Sequence, residues 1–153
     1  EYKLSVLKAE KEVAEYMKNS ANNVDETTVK LLTDKADLTA GRELYMNNCA
    51  ACHGRAGEGT VGPNLTDEYW LHSGGVKDIF KTIKYGWPDQ GMKAWKDDFS
   101  PVQIAQLTSF IKSLSGSNPP NAKAKQGEIY TEELAPGDSA ITSKDSLKTI
   151  ADR

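Results

Sequence analysis

The spacing of apolar residues along the chain predicts helices. Between residues 75 and 85, apolar residues recur on one helix face, and Gly86 supplies a C-terminal stop. A later helix begins with Ser100 as its N-cap and Pro101 at its first position, and Gln103 completes a capping box. The buried stripe of this last helix consists of Ile104, Leu107, Phe110, Ile111 and Leu114. No segment alternates with the period of two that marks a strand, so we expect an all-α fold without strands.

The same pattern divides the chain into three parts. Residues 1–36 are rich in Lys, Glu, Asn and Thr and are predicted to form a helical extension with one amphipathic helix of about four turns. Residues 37–116 hold all three Trp, both Cys and both His, and they are the candidate domain, with a first helix starting near Asp37 or Thr39. Residues 117–153 are punctuated by Pro and Gly and carry few large apolar groups. This last part is predicted to be an irregular, flexible tail, because it cannot bury enough surface to offset its ordering entropy.

Composition narrows the classes of function. The chain of 153 residues has 19 basic and 22 acidic residues and a net charge of −3, which argues against a nucleic-acid binder. No apolar run approaches the roughly 20 residues that span a bilayer, and no secretory signal is visible. The sequence begins with Glu1, so we expect a processed or excised soluble piece.

Residues 49–53 read Cys-Ala-Ala-Cys-His, the attachment pattern of a c-type haem. Two thiols three residues apart on one helical turn can add to the two vinyl groups of a haem, and the imidazole of His53 then faces the iron. A zinc site needs four N or S ligands, and two Cys with two His, one of them distant, form a poor tetrahedral set. A redox-active dithiol would need a βαβ setting, which the pattern lacks. The motif therefore predicts one haem c, attached through Cys49 and Cys52, with His53 as an iron ligand.

Met92 is the expected second ligand of the iron. It lies between two glycine-bearing turns just before the last helix, so its loop can fold over the far face of the haem. His72, the only other histidine, is the competing ligand, and an open position is the third alternative. Met46 precedes Cys49 on the same helix and is expected to pack on the proximal side, while Met17 falls in the extension.

At this point the residues resemble the class I cytochrome c fold, a small all-α domain wrapped around one haem. The resemblance rests on the run 44–54 through the Cys-Ala-Ala-Cys-His motif, the Gly-Pro-Asn-Leu at 62–65, the Met92 loop and the terminal helix. It implies that the carbonyl of Pro63 accepts the Nδ1–H of His53, which fixes the ring and raises its basicity. It also implies that the first and last helices cross at a small residue, and Gly41 fits that role, facing Leu107 and Phe110.

A longer run looks like the cytochrome c domain of subunit III, the P subunit, of cbb3-type cytochrome c oxidases. The similar stretches are 58–75, 79–86, 91–92 and Trp95, while 23–26 and 31–34 resemble the linker that follows the membrane anchor of that subunit. The resemblance implies a domain on the periplasmic side of a bacterial membrane, which passes electrons from soluble cytochromes towards a haem-copper, oxygen-reducing centre. Its partners would be other oxidase subunits, soluble redox proteins, or both. Many members carry two haem motifs, whereas this sequence has one, so it is either a single-haem variant or a fragment whose second haem domain lies outside it. The membrane anchor of the family is also missing from the sequence, as expected for an excised domain or a free cytochrome.

The expected activity is electron transfer and not catalysis by the chain alone. With both His53 and Met92 bound, the iron has no open position for a substrate, and such ligation raises the potential relative to a bis-His haem. The alternatives are a free periplasmic electron carrier and a peroxidase-like haem enzyme with an open distal site. Residues expected to contact the haem are Pro63, Leu65, Tyr69 and Trp95, the last two as candidate partners of a propionate. The lysines around the Met92 loop are interpreted as a solvated face, because acidic residues lie among them.

Overall fold

The computed structural model describes residues 2–132, and within this range the architecture is helical with one short strand pair. The helices are α1 (Tyr2–Asn22), α2 (Lys35–Asn48), α3 (Ala50–His53), α4 (Val76–Tyr85) and α5 (Pro101–Ser113). A 3₁₀ turn, Pro88–Gln90, lies between α4 and α5. Strands β1 (Tyr69–Trp70) and β2 (Glu128–Ile129) pair antiparallel. The expectation of a mostly helical fold is confirmed, but the expectation that there are no strands is wrong.

The strand pair was missed because each strand is two residues long, too short for any alternation to register. Tyr69 pairs with Ile129 and Trp70 with Glu128. Gly127 has φ +88° beside this pair, and a Cβ there would lie 2.2 Å from the Trp70 carbonyl oxygen. Only glycine allows the backbones to approach this closely.

The two helices with the clearest sequence signals lie where the pattern places them. Helix α4 ends at Tyr85, just before its C-cap Gly86, which has φ +63°, and the apolar face of the helix is buried. At the start of α5, the Gln103 amide donates to the Ser100 hydroxyl at 3.2 Å, and the Ser100 amide donates to the Gln103 side chain at 2.9 Å. The predicted capping box is therefore confirmed.

Helix α2 begins at Lys35, with Asp34 as its N-cap, ahead of the predicted start at Asp37 or Thr39. Asp37 does not cap the helix, because its carboxylate accepts a 3.0 Å hydrogen bond from the side chain of Gln106 on α5. The polar residue that suggested a helix start serves a contact between helices instead.

The core forms where α2 crosses α5, and α4 closes it. A Cβ at Gly41 would lie 2.2 Å from the Gln106 carbonyl oxygen and 3.0 Å from Cβ of Phe110. The predicted crossing at Gly41 is thus present, and Phe110 is correctly named, but the closest partner is the backbone of Gln106 and not Leu107. Leu107 is fully buried in the core beside it. The other buried apolar residues are Val29, Tyr45, Ile79, Phe80, Ile83, Ile104, Ala105 and Ile111.

The two segments assigned to extension and tail behave differently. Helix α1 is longer than the predicted four turns, and its described apolar side chains are largely exposed, including Tyr2, Leu4 and Tyr16. Residues 117–132 run back across the domain, held by backbone hydrogen bonds that an apolar pattern does not reveal. The remainder of the predicted tail, 133–153, lies outside the described residues. Across residues 2–132, no helix combines the length and apolar character that crossing a bilayer requires.

Candidate haem-binding site

The Cys-Ala-Ala-Cys-His motif lies at the junction of α2 and α3. Cys49 follows the last residue of α2 as its C-cap, with its amide donating to the Tyr45 carbonyl at 2.8 Å, and the His53 amide donates to the Cys49 carbonyl at 2.9 Å. Cys49 is thus the N-cap of α3, and Cys52 and His53 lie on the single turn of that helix. Both thiols are free; that of Cys52 is exposed and that of Cys49 is half-buried. Burial, with a smaller effect of neighbouring Cys52, raises the pKa of Cys49 to about 11.

The ring of His53 is oriented by the loop that follows it. Its Nδ1 lies 3.0 Å from the carbonyl oxygen of Pro63. Because a carbonyl can only accept, Nδ1 must carry the proton, which leaves the lone pair of Nε2 free for a metal. Burial lowers the pKa of His53, against the opposing effect of the Pro63 hydrogen bond, and favours the neutral form that a ligand requires.

Gly62 makes room for this ring. A Cβ at Gly62 would lie 2.7 Å from Cε1, 2.8 Å from Nδ1 and 3.1 Å from Nε2 of His53. The Gly62 amide also donates to the Cys52 carbonyl at 2.7 Å, and the Gly59 amide donates to the His53 carbonyl at 2.8 Å. The loop is therefore attached to the motif helix through its backbone, and it holds the imidazole without a side chain in the way.

The Met92 loop is closed by its own backbone. The Trp87 amide donates to the Met92 carbonyl at 2.8 Å, and the Met92 amide donates to the Trp87 carbonyl at 3.1 Å. The 3₁₀ turn lies between them, and Gly91 completes it with φ +89°. Met92 is half-buried and packs against the hydrophobic core. Trp95 then ties the end of the loop to α4, its amide donating to the Ile83 carbonyl at 3.1 Å.

His72, the competing ligand, contacts this same loop. Its ring stacks on the indole of Trp87 with 3.7 Å between centroids and 10° between planes. Its Nε2 lies 3.1 Å from Oε1 of Gln90. His72 thus supports the loop that carries Met92. No sequence pattern signals this role, since the two contacts join residues 15 and 18 positions apart.

The remaining expected haem contacts are spread over the domain. Leu65 and Trp95 are half-buried and pack against the core, and Trp95 stacks on Phe99 at 5.2 Å. Tyr69 lies in β1, and Nζ of Lys125 is 4.5 Å above its ring and 3.4 Å from its hydroxyl. Among the rival methionines, Met46 packs against the core, while the side chain of Met17 lies outside the described parts of the structure.

Sequence reasoning missed two residues that support the His53 loop. Asn64 is buried; its side-chain oxygen accepts from the amide and hydroxyl of Thr66, and its Nδ2 donates to the Lys123 carbonyl at 3.2 Å. Lys123 lies in the segment assigned to the tail. Asn64 carried a usable signal, because it follows Gly-Pro next to the motif, whereas Lys123 lies in a polar run with no periodicity.

The donor set fits a haem c. It offers two free thiols on the turn that bears His53, a histidine whose Nε2 is free, and a thioether on a closed loop. Gly62 leaves space for the imidazole beside these groups.

Comparison with known proteins points the same way. Residues 36–111 match the family described as cytochrome c oxidase, cbb3-type, subunit III. The chain is 37% identical over 119 residues to the cbb3-type cytochrome c oxidase subunit CcoP of Azospirillum sp., covering 67% of this chain and 40% of that protein. It is 35% identical over 105 residues to the subunit FixP of Azorhizobium caulinodans, covering 62% of this chain and 36% of that protein. The chain thus spans about two fifths of the length of these relatives.

A solved structure shows a related fold. The structure of cytochrome cL from Methylophaga aminisulfidivorans superposes with a TM-score of 0.51 and 26% identity, covering 67% of this chain and 74% of that chain. A sequence match to cytochrome c-L of Methylorubrum extorquens is 32% identical over 85 residues, covering 54% of this chain and 43% of that protein.

Proposed function

Residues 36–111 belong to the family of the cytochrome c domain of cbb3-type oxidase subunit III, and from this premise we propose that the chain transfers single electrons through one c-type haem. Cys49 and Cys52 attach the haem, and His53 and Met92 ligate its iron. The observation that carries the proposal is the His53 ring, held by Pro63 with Nε2 free, on the same turn as two free thiols.

The haem, when bound, supplies an iron that takes up and releases one electron. The chain supplies the two side chains that would bind the iron and holds each of them in place. His53 is held in one tautomer, and Met92 is presented by a loop that two backbone hydrogen bonds close. If His53 and Met92 both bound the iron, no position would remain for oxygen or a substrate, so the domain would act as a carrier and not as an enzyme on its own.

We propose that the partners are the other subunits of a haem-copper oxidase on the periplasmic side of a bacterial membrane, together with soluble redox proteins. The names of the CcoP and FixP relatives, which are subunits of cbb3-type cytochrome c oxidases, support other oxidase subunits as partners. Two lysines near the loop are already paired within the chain, Lys84 with Glu26 and Lys93 with Asp98, each at 2.9 Å. A small, weakly charged docking surface suits redox encounters, which are brief and bury little area.

A free electron carrier is the second candidate. It is favoured by the match to cytochrome cL, which covers 74% of that chain, a larger share than the 40% covered of the Azospirillum subunit. Co-purification distinguishes the two: a subunit remains with the haem-copper catalytic subunit through detergent extraction and salt washing, whereas a free carrier is lost.

The ligands are tested by absorption spectra of the ferric and ferrous chain. We expect a weak sulfur-to-iron band at about 695 nm that Met92→Ala abolishes and His72→Ala retains. Met46→Ala is the matched control, because it removes the other half-buried methionine of the domain and leaves the band intact. A wild-type chain without the band, whose ferrous form binds carbon monoxide at once, would overturn the ligand assignment and favour the peroxidase-like enzyme.

A further inference from the structure

A segment beyond the matched domain lies against the loop that orients His53. The Lys123 amide donates to the Glu58 carbonyl at 2.8 Å, and the Lys123 carbonyl accepts from Asn64 at 3.2 Å. Gly59, with φ +84°, allows the loop and the segment with Lys123 to pack closely, since a Cβ at Gly59 would lie 2.9 Å from Cβ of Lys123. Backbone bonds on both sides of Lys123 therefore fix where its side chain starts.

The ammonium group of Lys123 points along the outer side of the same loop. Its Nζ lies 3.3 Å from the Val61 carbonyl oxygen and 3.5 Å from that of Gly62. Gly62 also faces the imidazole of His53, since a Cβ there would lie 2.7 Å from Cε1. The ammonium group of Lys123 and the residue that would bind the iron thus both contact Gly62.

We propose that Lys123 is a positioning residue of the haem site, whose fixed positive charge raises the reduction potential of the iron ligated by His53. This rests on the proposed function. The reason is electrostatic: the ferric state carries one more positive charge than the ferrous state, so a nearby cation favours the reduced form. Because Lys123 is half-buried, solvent screens it less than it screens an exposed lysine.

The same loop also carries an acidic group. The Glu58 carboxylate accepts a hydrogen bond from the Ala56 amide at 2.9 Å and lies beside Gly54, the residue after His53. This carboxylate is unchanged in every Lys123 variant, so a comparison of Lys123→Gln with wild type measures the effect of the lysine.

The test is a redox titration of the haem-loaded chain, followed by its absorption spectrum. Lys123→Gln removes the charge and keeps a hydrogen-bond donor, and Lys123→Arg keeps the charge. Lys77→Gln is the matched control, because it changes the net charge equally at an exposed position of α4. We expect Lys123→Gln to raise the ferric-to-ferrous ratio several-fold at a fixed ambient potential, where tenfold corresponds to about 59 mV for one electron. We expect Lys123→Arg and Lys77→Gln to stay within about twofold of wild type, and the effect of Lys123→Gln to depend only weakly on salt, as for a partly buried charge.

Three results would overturn the proposal: no shift in Lys123→Gln, an equal shift in Lys77→Gln, or a shift to higher potential, which would mean that the lysine acts only by holding the loop. If Lys123→Gln does not load haem, Lys123→Met keeps the packing over Gly59 without the charge and gives the same comparison. A failure of the proposed function is distinguishable from these results. In that case the wild-type chain would lack a c-type spectrum, or the spectrum of the His53→Ala chain would equal that of wild type.

Discussion

Replacing Gly41 with alanine tests whether the close crossing of α2 and α5 holds the domain together. The added Cβ would lie 2.2 Å from the Gln106 carbonyl oxygen and 2.7 Å from its carbon. Both are backbone atoms of a helix, so neither can rotate away. Restoring an ordinary contact of about 3.4 Å would require the helices to separate locally by about 1.2 Å.

The magnitude follows from two opposing terms. Alanine stabilises a helix by about 1 kcal/mol relative to glycine. Overpacking a tight site costs typically about 1–3 kcal/mol and sometimes more, and here the separation would also loosen fully buried Leu107 and Tyr45. Because the obstructing atoms are backbone, the upper part of this range applies, and we expect a net loss of about 2 kcal/mol. For a domain of this size, that lowers the Tm by roughly 10 °C.

The assay is thermal unfolding of the haem-loaded chain, followed by far-ultraviolet circular dichroism. Thr39→Ala, at an exposed position of the same helix, is the control, because it gains helix propensity without meeting a neighbour. A Gly41→Ala chain that melts at or above the wild-type temperature would refute the claim that the crossing depends on glycine.

Two further substitutions test other parts of the structure. Gly62→Ala should displace the His53 ring, since its Cβ would lie 2.7 Å from Cε1, and we expect a weakened iron–histidine bond in the resonance Raman spectrum of the ferrous chain, with little change in helix content. Glu26→Gln tests the tie between the segment before α2 and helix α4: hydrogen bonding to Lys84 lowers the pKa of Glu26, so the folded chain gains stability once the carboxylate is ionised and loses it as pH falls through the lowered pKa. We therefore expect Glu26→Gln to reduce the Tm near neutral pH and the difference from wild type to vanish in acid; a difference that persists at about pH 2 would contradict this.

The parts of the fold that the sequence predicted are those in which a local signal sufficed. The capping box at Ser100 and Gln103 and the apolar face of α4 involve residues within one or two turns, so the pattern contains them completely. The bounds of α2 failed because Asp37 has two uses, as a cap or as a partner of Gln106, and only the folded chain decides between them. Strands β1 and β2 were invisible, because their pairing depends on backbone atoms alone.

In the candidate site, too, the locally encoded features were predicted and those that depend on distant contacts were not. The Cys-Ala-Ala-Cys-His spacing carries its chemistry within five residues, and the Pro63 carbonyl was anticipated through a family resemblance and lies 3.0 Å from His53. The stack of His72 on Trp87 and the position of Lys123 depend on contacts between distant segments, which no spacing in the sequence records. Polar contacts between distant segments are therefore the part of the site that the sequence does not predict.

The crossing of α2 and α5 also determines how the domain can be joined to other segments. The Leu32 amide, where the chain approaches α2, donates to the Ser109 hydroxyl at 2.9 Å, and Asp37 accepts from Gln106. The chain therefore arrives beside the helix with which the domain closes. Domains whose two ends lie close together tolerate insertion and circular permutation, because flanking sequence can be exchanged without strain on the core. The unit is thus suited to insertion into longer polypeptides, provided that the segment with Lys123, which is bonded to the His53 loop, is carried with it.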